Sequence, residues 1–267
     1  MPFFNDIEQF KNVSPALQWA MFIVACLIAV VAVFSIFVSI WLSIKYMVYN
    51  RRMNSRNLSG KDAARMILDK NGLQHIKVSV VGSMLFGNSY SHYFKKVRLR
   101  RLTTKKPSIT SLAMGAEKSA LAILDKEGDK DMRTRVILTP LMYLGPFAFI
   151  PILLVGVAID FLVFGFNGVG TIIAAAVGLA IYSVSFVLSV MTLKTEKKAQ
   201  QRACEILRDD NMATDEEIEM MRKLFKLYNI QYINDIIMEF LQLLLKVLEI
   251  IAKLQGGSSS SSSSSNR

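Results

Sequence analysis

Residues 20–44, AMFIVACLIAVVAVFSIFVSIWLSI, run for 25 positions without a charged side chain. Nothing else in the chain constrains its fold as strongly. A helix needs about 20 apolar residues to cross the hydrocarbon core of a bilayer. A secretory leader would carry a basic start and an apolar stretch of only about 7–15 residues. Here Asp6 and Glu8 precede a longer run. The segment therefore reads as an uncleaved transmembrane helix that ends with Trp41, Lys45, Tyr46 and Tyr49 at an interface.

Two more apolar regions follow, 136–166 and 168–193, joined by FGFNGVG at 164–170. They predict a helical hairpin across the membrane. Pro140, Pro146 and Pro151 should kink its first arm, which neighbouring helices tolerate by satisfying the freed carbonyls. Asp160 is the one charge in the pair and is expected near the far interface. Residues 45–135 hold 20 Lys and Arg against 7 Asp and Glu. The excess of basic residues places this segment in the cytoplasm and the amino terminus outside. With only Cys26 and Cys204, a disulfide framework is excluded.

Within the basic segment, SGKDAARMILDKNG (59–72) is a punctuated helix: Ser59 can cap it, Asp62 can answer at the third position, and Asn71-Gly72 can stop it. HIKVSVVG (75–82) and YFKKVRLRR (93–101) alternate apolar and polar residues as strands do, with MLFGNSYS between them as a loop. The pair is open to a hairpin or an edge arrangement. Pro107-Ser108 opens the next helix and Gly128 closes it. Lys95, Lys96, Arg98, Arg100, Arg101, Lys105 and Lys106 put seven cations into twelve residues. They suit anionic lipid headgroups, at about 1 kcal/mol each near a membrane surface, or serve as a solvated face that sets topology. Nucleic acid is not expected, because no aromatic platform or recognised module accompanies the run.

Beyond the hairpin, 196–210 continues as a polar helix, and Thr214 with Glu217 forms a capping box for the next one. A last helix over about 230–254 carries Asp235, Glu239, Gln242, Lys246, Glu249 and Lys253 as one polar stripe. It is read as an interfacial helix or a fourth span whose stripe faces protein or water. GGSSSSSSSSNR closes the chain as a flexible, low-complexity tail.

The stretch AMGAEKSALAIL (113–124) poses a separate question. Its apolar residues recur at helical spacing, yet Glu117 shares a face with Met114 and Leu121. No H-E-x-x-H, cysteine pair, phosphate loop, dinucleotide fingerprint or G-x-S-x-G occurs. His75 and His92 stand alone, where zinc sites use three or four ligands.

The order of elements resembles that of the YugP-like proteins, a family of bacterial membrane-embedded zinc metallopeptidases. That family has an amino-terminal span and then T-G-x-x-x-A-R-x-I-L-D-x-N-G-L, against LSGKDAARMILDKNGL at 58–73. A V-x-V strand, a loop with Asp and His, and a V-R-L-S strand end follow; here they read VSVVG, GNSYSHY and KKVRLRR. Next come a helix bearing H-E-x-G-H-A, two apolar spans, and E-x-x-A-S-x-R-A; here, AEKSAL, two apolar spans and EKKAQQRA. The resemblance implies a zinc helix with its ligands gone. The two His positions hold Ala116 and Ala120, and Glu117 keeps the general-base position. Glu196 keeps the third-ligand position, and Asn88-Ser89 replaces the Asp-His pair.

The expected fold is thus a mainly α-helical integral membrane protein, with three to four transmembrane helices and a small α+β cytoplasmic segment resembling a degenerate zincin site. Its parts are 1–50 (first span), 51–135 (basic segment), 136–193 (hairpin), 194–229 (cytoplasmic helices), 230–254 (amphipathic or fourth span) and 255–267 (tail). The expected function is binding, by a catalytically degenerate homologue without a cofactor. Its partners would be the anionic lipid surface and another membrane protein or a second copy, in a bacterial plasma membrane. A protein partner would use the old groove between helix 108–127 and helix 194–210. An active enzyme would hold zinc on rearranged ligands, with His92, Glu117 and Glu196 as candidates. A third reading is a structural subunit of a transporter or other membrane assembly.

Overall fold

The computed structural model describes residues 13–81, 87–163 and 169–261. They are mostly helical: α1 (Pro15–Arg51), α2 (Gly60–Lys70), α3 (Arg101–Lys105), α4 (Ile109–Lys126), α5 (Lys130–Leu162), α6 (Val169–Asp209) and α7 (Asp215–Ser261). Three short strands, β1 (Lys77–Val81), β2 (Ser89–Ser91) and β3 (Lys96–Arg100), make one sheet. Among the described residues, α1 and the helix of 173–209 within α6 are long and apolar enough to cross a membrane. The chain divides into two compact units.

One unit comprises 36–139 and 189–233. Its core joins α2, the sheet, α4 and the polar halves of α6 and α7 through side chains such as Ile67, Leu99, Leu112, Leu121, Leu207 and Met221. The expected caps form. Ser59 Oγ accepts from the Asp62 N–H at 3.2 Å and donates to its carboxylate at 2.6 Å, and Gly72 ends α2 at φ +68°. Thr214 and Glu217 exchange bonds of 2.8 and 3.3 Å at the start of α7. Glu217 also accepts from the Ser55 N–H at 2.6 Å and the Ser55 hydroxyl at 2.9 Å, tying the loop after α1 to α7.

Helices α2 and α4 meet at glycine. A Cβ on Gly115 would collide with the Gly60 carbonyl, and one on Gly60 with the Thr103 carbonyl. This crossing brings α4 so deep that every residue from Ile109 to Leu124 is buried.

The sheet corrects the strand reading. β1 and β3 are neighbours but parallel, and the antiparallel partner of β3 is β2, inside the stretch read as loop. Alternation reports which face is buried, as it does for Val97 and Leu99 in β3, but carries no strand direction. Residues 82–86, which include the first three of that loop, lie outside the described residues.

The other unit comprises 1–35, 140–188 and 234–267. Val13, Leu17, Met21 and Ala252 form a small apolar cluster in it. Gly156 lies against Ala174 and the Gly170 carbonyl with no space for a side chain, the close approach that small residues permit between apolar helices. Asp160 caps α6: Oδ1 accepts from the Gly170 N–H and Oδ2 from the Thr171 N–H, both at 2.7 Å, and Oδ2 also takes the Thr171 hydroxyl. The carboxylate expected at an interface thus satisfies helix donors that would otherwise be orphaned. α5 continues through all three prolines; of the connecting turn, 164–168 lie outside the described residues.

No break separates 215–229 from 230–254. α7 is one helix, because no glycine or proline interrupts the sequence before Gly256. It extends through Ser261 into the tract read as flexible, as propagation needs only one further bond per residue. Part of its polar stripe faces α6: the Tyr182 hydroxyl donates to Gln242 Oε1 at 2.8 Å, and the Lys246 ammonium lies 5.8 Å from the Tyr182 ring centre.

Candidate functional site: a buried ion-pair cluster

Glu117 and Glu196, the two carboxylates that the resemblance singles out, meet although 79 positions separate Glu117 on α4 from Glu196 on α6. What joins them is Lys118, the residue after Glu117. Its ammonium lies 3.0 Å from Glu117 Oε2 and 2.7 Å from Glu196 Oε2. Arg135, near the start of α5, closes the other side, donating to Glu196 Oε1 at 2.9 Å and to the Thr195 hydroxyl at 2.6 Å. Gln200, one helical turn beyond Glu196, donates to Glu117 Oε1 at 2.9 Å and accepts from Asn229 at 2.8 Å. Glu117, Lys118, Glu196 and Gln200 are all at most 4% exposed.

Two acids and two bases make the cluster formally neutral, as a buried set of charges must be. Burial opposes ionisation of Glu196, but Lys118 and then Arg135 outweigh it and hold its carboxyl at about 2. Burial pushes Glu117 above the ordinary carboxylate range; Lys118 opposes that and Glu196 adds to it. Burial works against the Lys118 charge, yet the two carboxylates prevail and raise its pKa.

Ala116 and Ala120, which the resemblance sets at histidine positions, are fully buried on the same helix and bring no donor atom. His92 is elsewhere: its Nδ1 is 2.6 Å from Asp125 Oδ2, which also accepts from the Tyr90 hydroxyl at 2.6 Å. Asn88 accepts from the Arg100 N–H at 2.7 Å and the Thr103 hydroxyl at 2.9 Å. Among the described residues, no group of three His, Cys, Asp or Glu stands close enough to hold a metal ion.

A family described as "Putative neutral zinc metallopeptidase" matches residues 23–251. The chain belongs to this family. No curated protein matches it, and no solved structure does. The family implies zinc, and the donor set tests whether zinc fits this member. It does not: the two carboxylates that a metal would share already share an ammonium, and the neighbouring helix positions are alanines.

Between helix 108–127 and helix 194–210, where the groove is expected, Glu117, Lys118, Glu196 and Gln200 are buried and bonded to one another. A cavity of about 560 Å³ reaches Glu117 and Lys118 from the side of Ser39, Tyr46, Tyr228 and Tyr232. The basic run is spread over the β2–β3 turn, β3 and α3. Lys95, Arg100, Arg101 and Lys105 are exposed, Lys96, Arg98 and Lys106 half-buried, and the Arg98 guanidinium stands 5.2 Å from the Phe94 ring centre.

The sequence reading passed over Lys118, Arg135 and Gln200. The available signal was a lysine inside a helix apolar on all sides, which a folded chain tolerates only beside a partner.

Proposed function

We propose that this chain is a non-hydrolytic member of its family, an integral membrane protein with residues 45–135 in the cytoplasm, which acts by binding. The single observation behind this reading is the Lys118 ammonium, 3.0 Å from Glu117 and 2.7 Å from Glu196. A general base must be free to take a proton from water. Glu117 instead has one oxygen on Lys118 and the other on Gln200. The cluster fixes α4 against α6 and leaves the adjacent cavity as a binding pocket for a segment of a membrane-protein partner. The exposed cations of β3 and α3 rest on anionic headgroups.

Metal content tests the reading. The natural protein, purified in mild detergent, holds no stoichiometric zinc and cleaves no peptide when zinc is added. The variant with Ala116→His and Ala120→His still excludes zinc, because the ammonium remains. Adding Lys118→Ala to that pair admits about one equivalent, the number a single tetrahedral site takes. Stoichiometric zinc in the natural protein refutes the reading. That arm needs no substitution, so it stands even where histidine at the fully buried Ala116 and Ala120 prevents folding.

A further inference from the structure

A second pocket, of about 700 Å³, lies between α6 and α7, and all its lining belongs to the unit of 36–139 and 189–233. Helical spacing puts Lys197, Gln200, Cys204 and Glu205 on one face of α6, and Arg222, Phe225, Lys226 and Asn229 on one face of α7. Gln200, Cys204 and Phe225 are buried, while Lys197, Arg222 and Lys226 are exposed. Among the described residues, none of these three cations forms an ion pair with a carboxylate. Glu205, the acid on the lining, stands 3.6 Å from Arg202 instead. Arg222 also reaches the Cys204 sulfur, which burial keeps as the neutral thiol, so the guanidinium charge stays uncompensated. Even with Glu205 counted in full, the lining carries two net positive charges.

Asn229 adds an acceptor. Its buried Oδ1 has no hydrogen-bond partner among the described residues. The orientation of the amide is fixed by a chain of bonds: Gln200 donates to Glu117, which leaves Gln200 Oε1 to accept from Asn229 Nδ2 at 2.8 Å and turns Asn229 Oδ1 away. Buried polar atoms are nearly always satisfied, so this oxygen calls for a donor from outside the protein. We propose that the pocket binds a phosphate ester of a polyol, with Lys197, Arg222 and Lys226 receiving the phosphate and a ligand hydroxyl donating to Asn229 Oδ1. Phosphate oxygens are arranged tetrahedrally and can meet cations on two facing helices at once, whereas a carboxylate presents two oxygens in one plane. This chemistry is shared by a phosphatidylglycerol headgroup and by free glycerol phosphate. Lys197 lies four residues beyond Leu193, where the apolar run of α6 ends, which sets the pocket at headgroup depth. That lipid source rests on the membrane placement proposed above; the soluble source does not.

The full-length protein in maltoside is titrated calorimetrically with two pairs of probes. One pair is sn-glycerol 3-phosphate and methyl phosphate; the other is dioctanoyl-phosphatidylglycerol and dioctanoyl-phosphatidylmethanol. In at least one pair the glycerol ester binds at one site per chain, about fivefold more tightly than its methyl counterpart, the yield of one neutral hydrogen bond. Preference within the lipid pair alone assigns the site to a headgroup, and preference within the soluble pair to a free polyol phosphate. Lys197→Gln with Lys226→Gln removes two of the three cations and weakens the preferred ester at least tenfold, as loss of charge-assisted bonds does. Both side chains are exposed, so folding is not at stake, and circular dichroism of the double variant matches that of the natural protein. No saturable binding by any of the four probes, equal affinity for glycerol and methyl esters, or undiminished binding by the double variant overturns the inference. Zinc is assayed on the same samples. Stoichiometric zinc defeats the proposed function, whereas metal-free protein without ester preference defeats this inference alone.

Discussion

Replacing Lys118 by methionine keeps the length and apolar stem of the side chain and deletes one buried charge. Glu196 retains Arg135 at 2.9 Å, but Glu117 is left with only the neutral Gln200. Removing one partner of a buried ion pair costs about 3–5 kcal/mol, because the surviving charge stays buried and unpaired. At about 2–4 °C per kcal/mol for a protein of this size, the midpoint of thermal unfolding falls by on the order of 10 °C. The deficit depends on pH with a definite sign. Glu117 is raised already, by burial first. Without Lys118 it rises further. A group raised on folding contributes stability below its unfolded pKa and loses it as pH climbs through the folded one. The Lys118→Met deficit is therefore larger near pH 7.5 than near pH 5. Adding Glu117→Gln removes the stranded charge and restores most of the loss. Circular dichroism at 222 nm, followed against temperature in detergent at both pH values, measures all three proteins. A single variant within about 1 °C of the natural protein near pH 7.5, or a double variant less stable than the single one, refutes the account of a charge-balanced cluster.

Other perturbations follow from the same packing. Gly115→Ala drives a methyl group into the Gly60 carbonyl, and overpacking against backbone costs about 3 kcal/mol or more, read as a lower unfolding midpoint in the same assay. Glu217→Ala removes the acceptor for the Ser55 N–H and hydroxyl and for the Thr214 N–H; a loss of about 2–3 kcal/mol follows, with faster proteolysis at the loop carrying Ser55. Asp160→Ala strips the cap from Gly170 and Thr171, which lowers thermal stability, while Asp160→Asn, still an acceptor, retains part of it. Glu196, depressed to about 2 from 4.5, contributes stability fully present above the unfolded value and lost as pH falls through about 2; Glu196→Gln flattens that acid limb of a pH–stability curve.

Much of this protein was legible before any coordinates. A charge-free run long enough to span a bilayer, Ser59 with Asp62, Thr214 with Glu217, and glycines where α2 and α4 stop are local patterns, and short-range physics fixes their outcome. The order of motifs carried the family, which residues 23–251 match. Strand direction was not legible, since alternation is the same in parallel and antiparallel ladders. Nor was the role of Asp160, which depends on α6 beginning within reach of its oxygens. The cluster shows most plainly what only tertiary structure decides. Sequence placed Glu117 among apolar residues and kept Glu196, yet Lys118 carries no meaning until α6 delivers Glu196 to within 2.7 Å of its ammonium. Coulomb energy depends on distance through space and on the dielectric around it, and neither quantity exists in a sequence until the helices have packed.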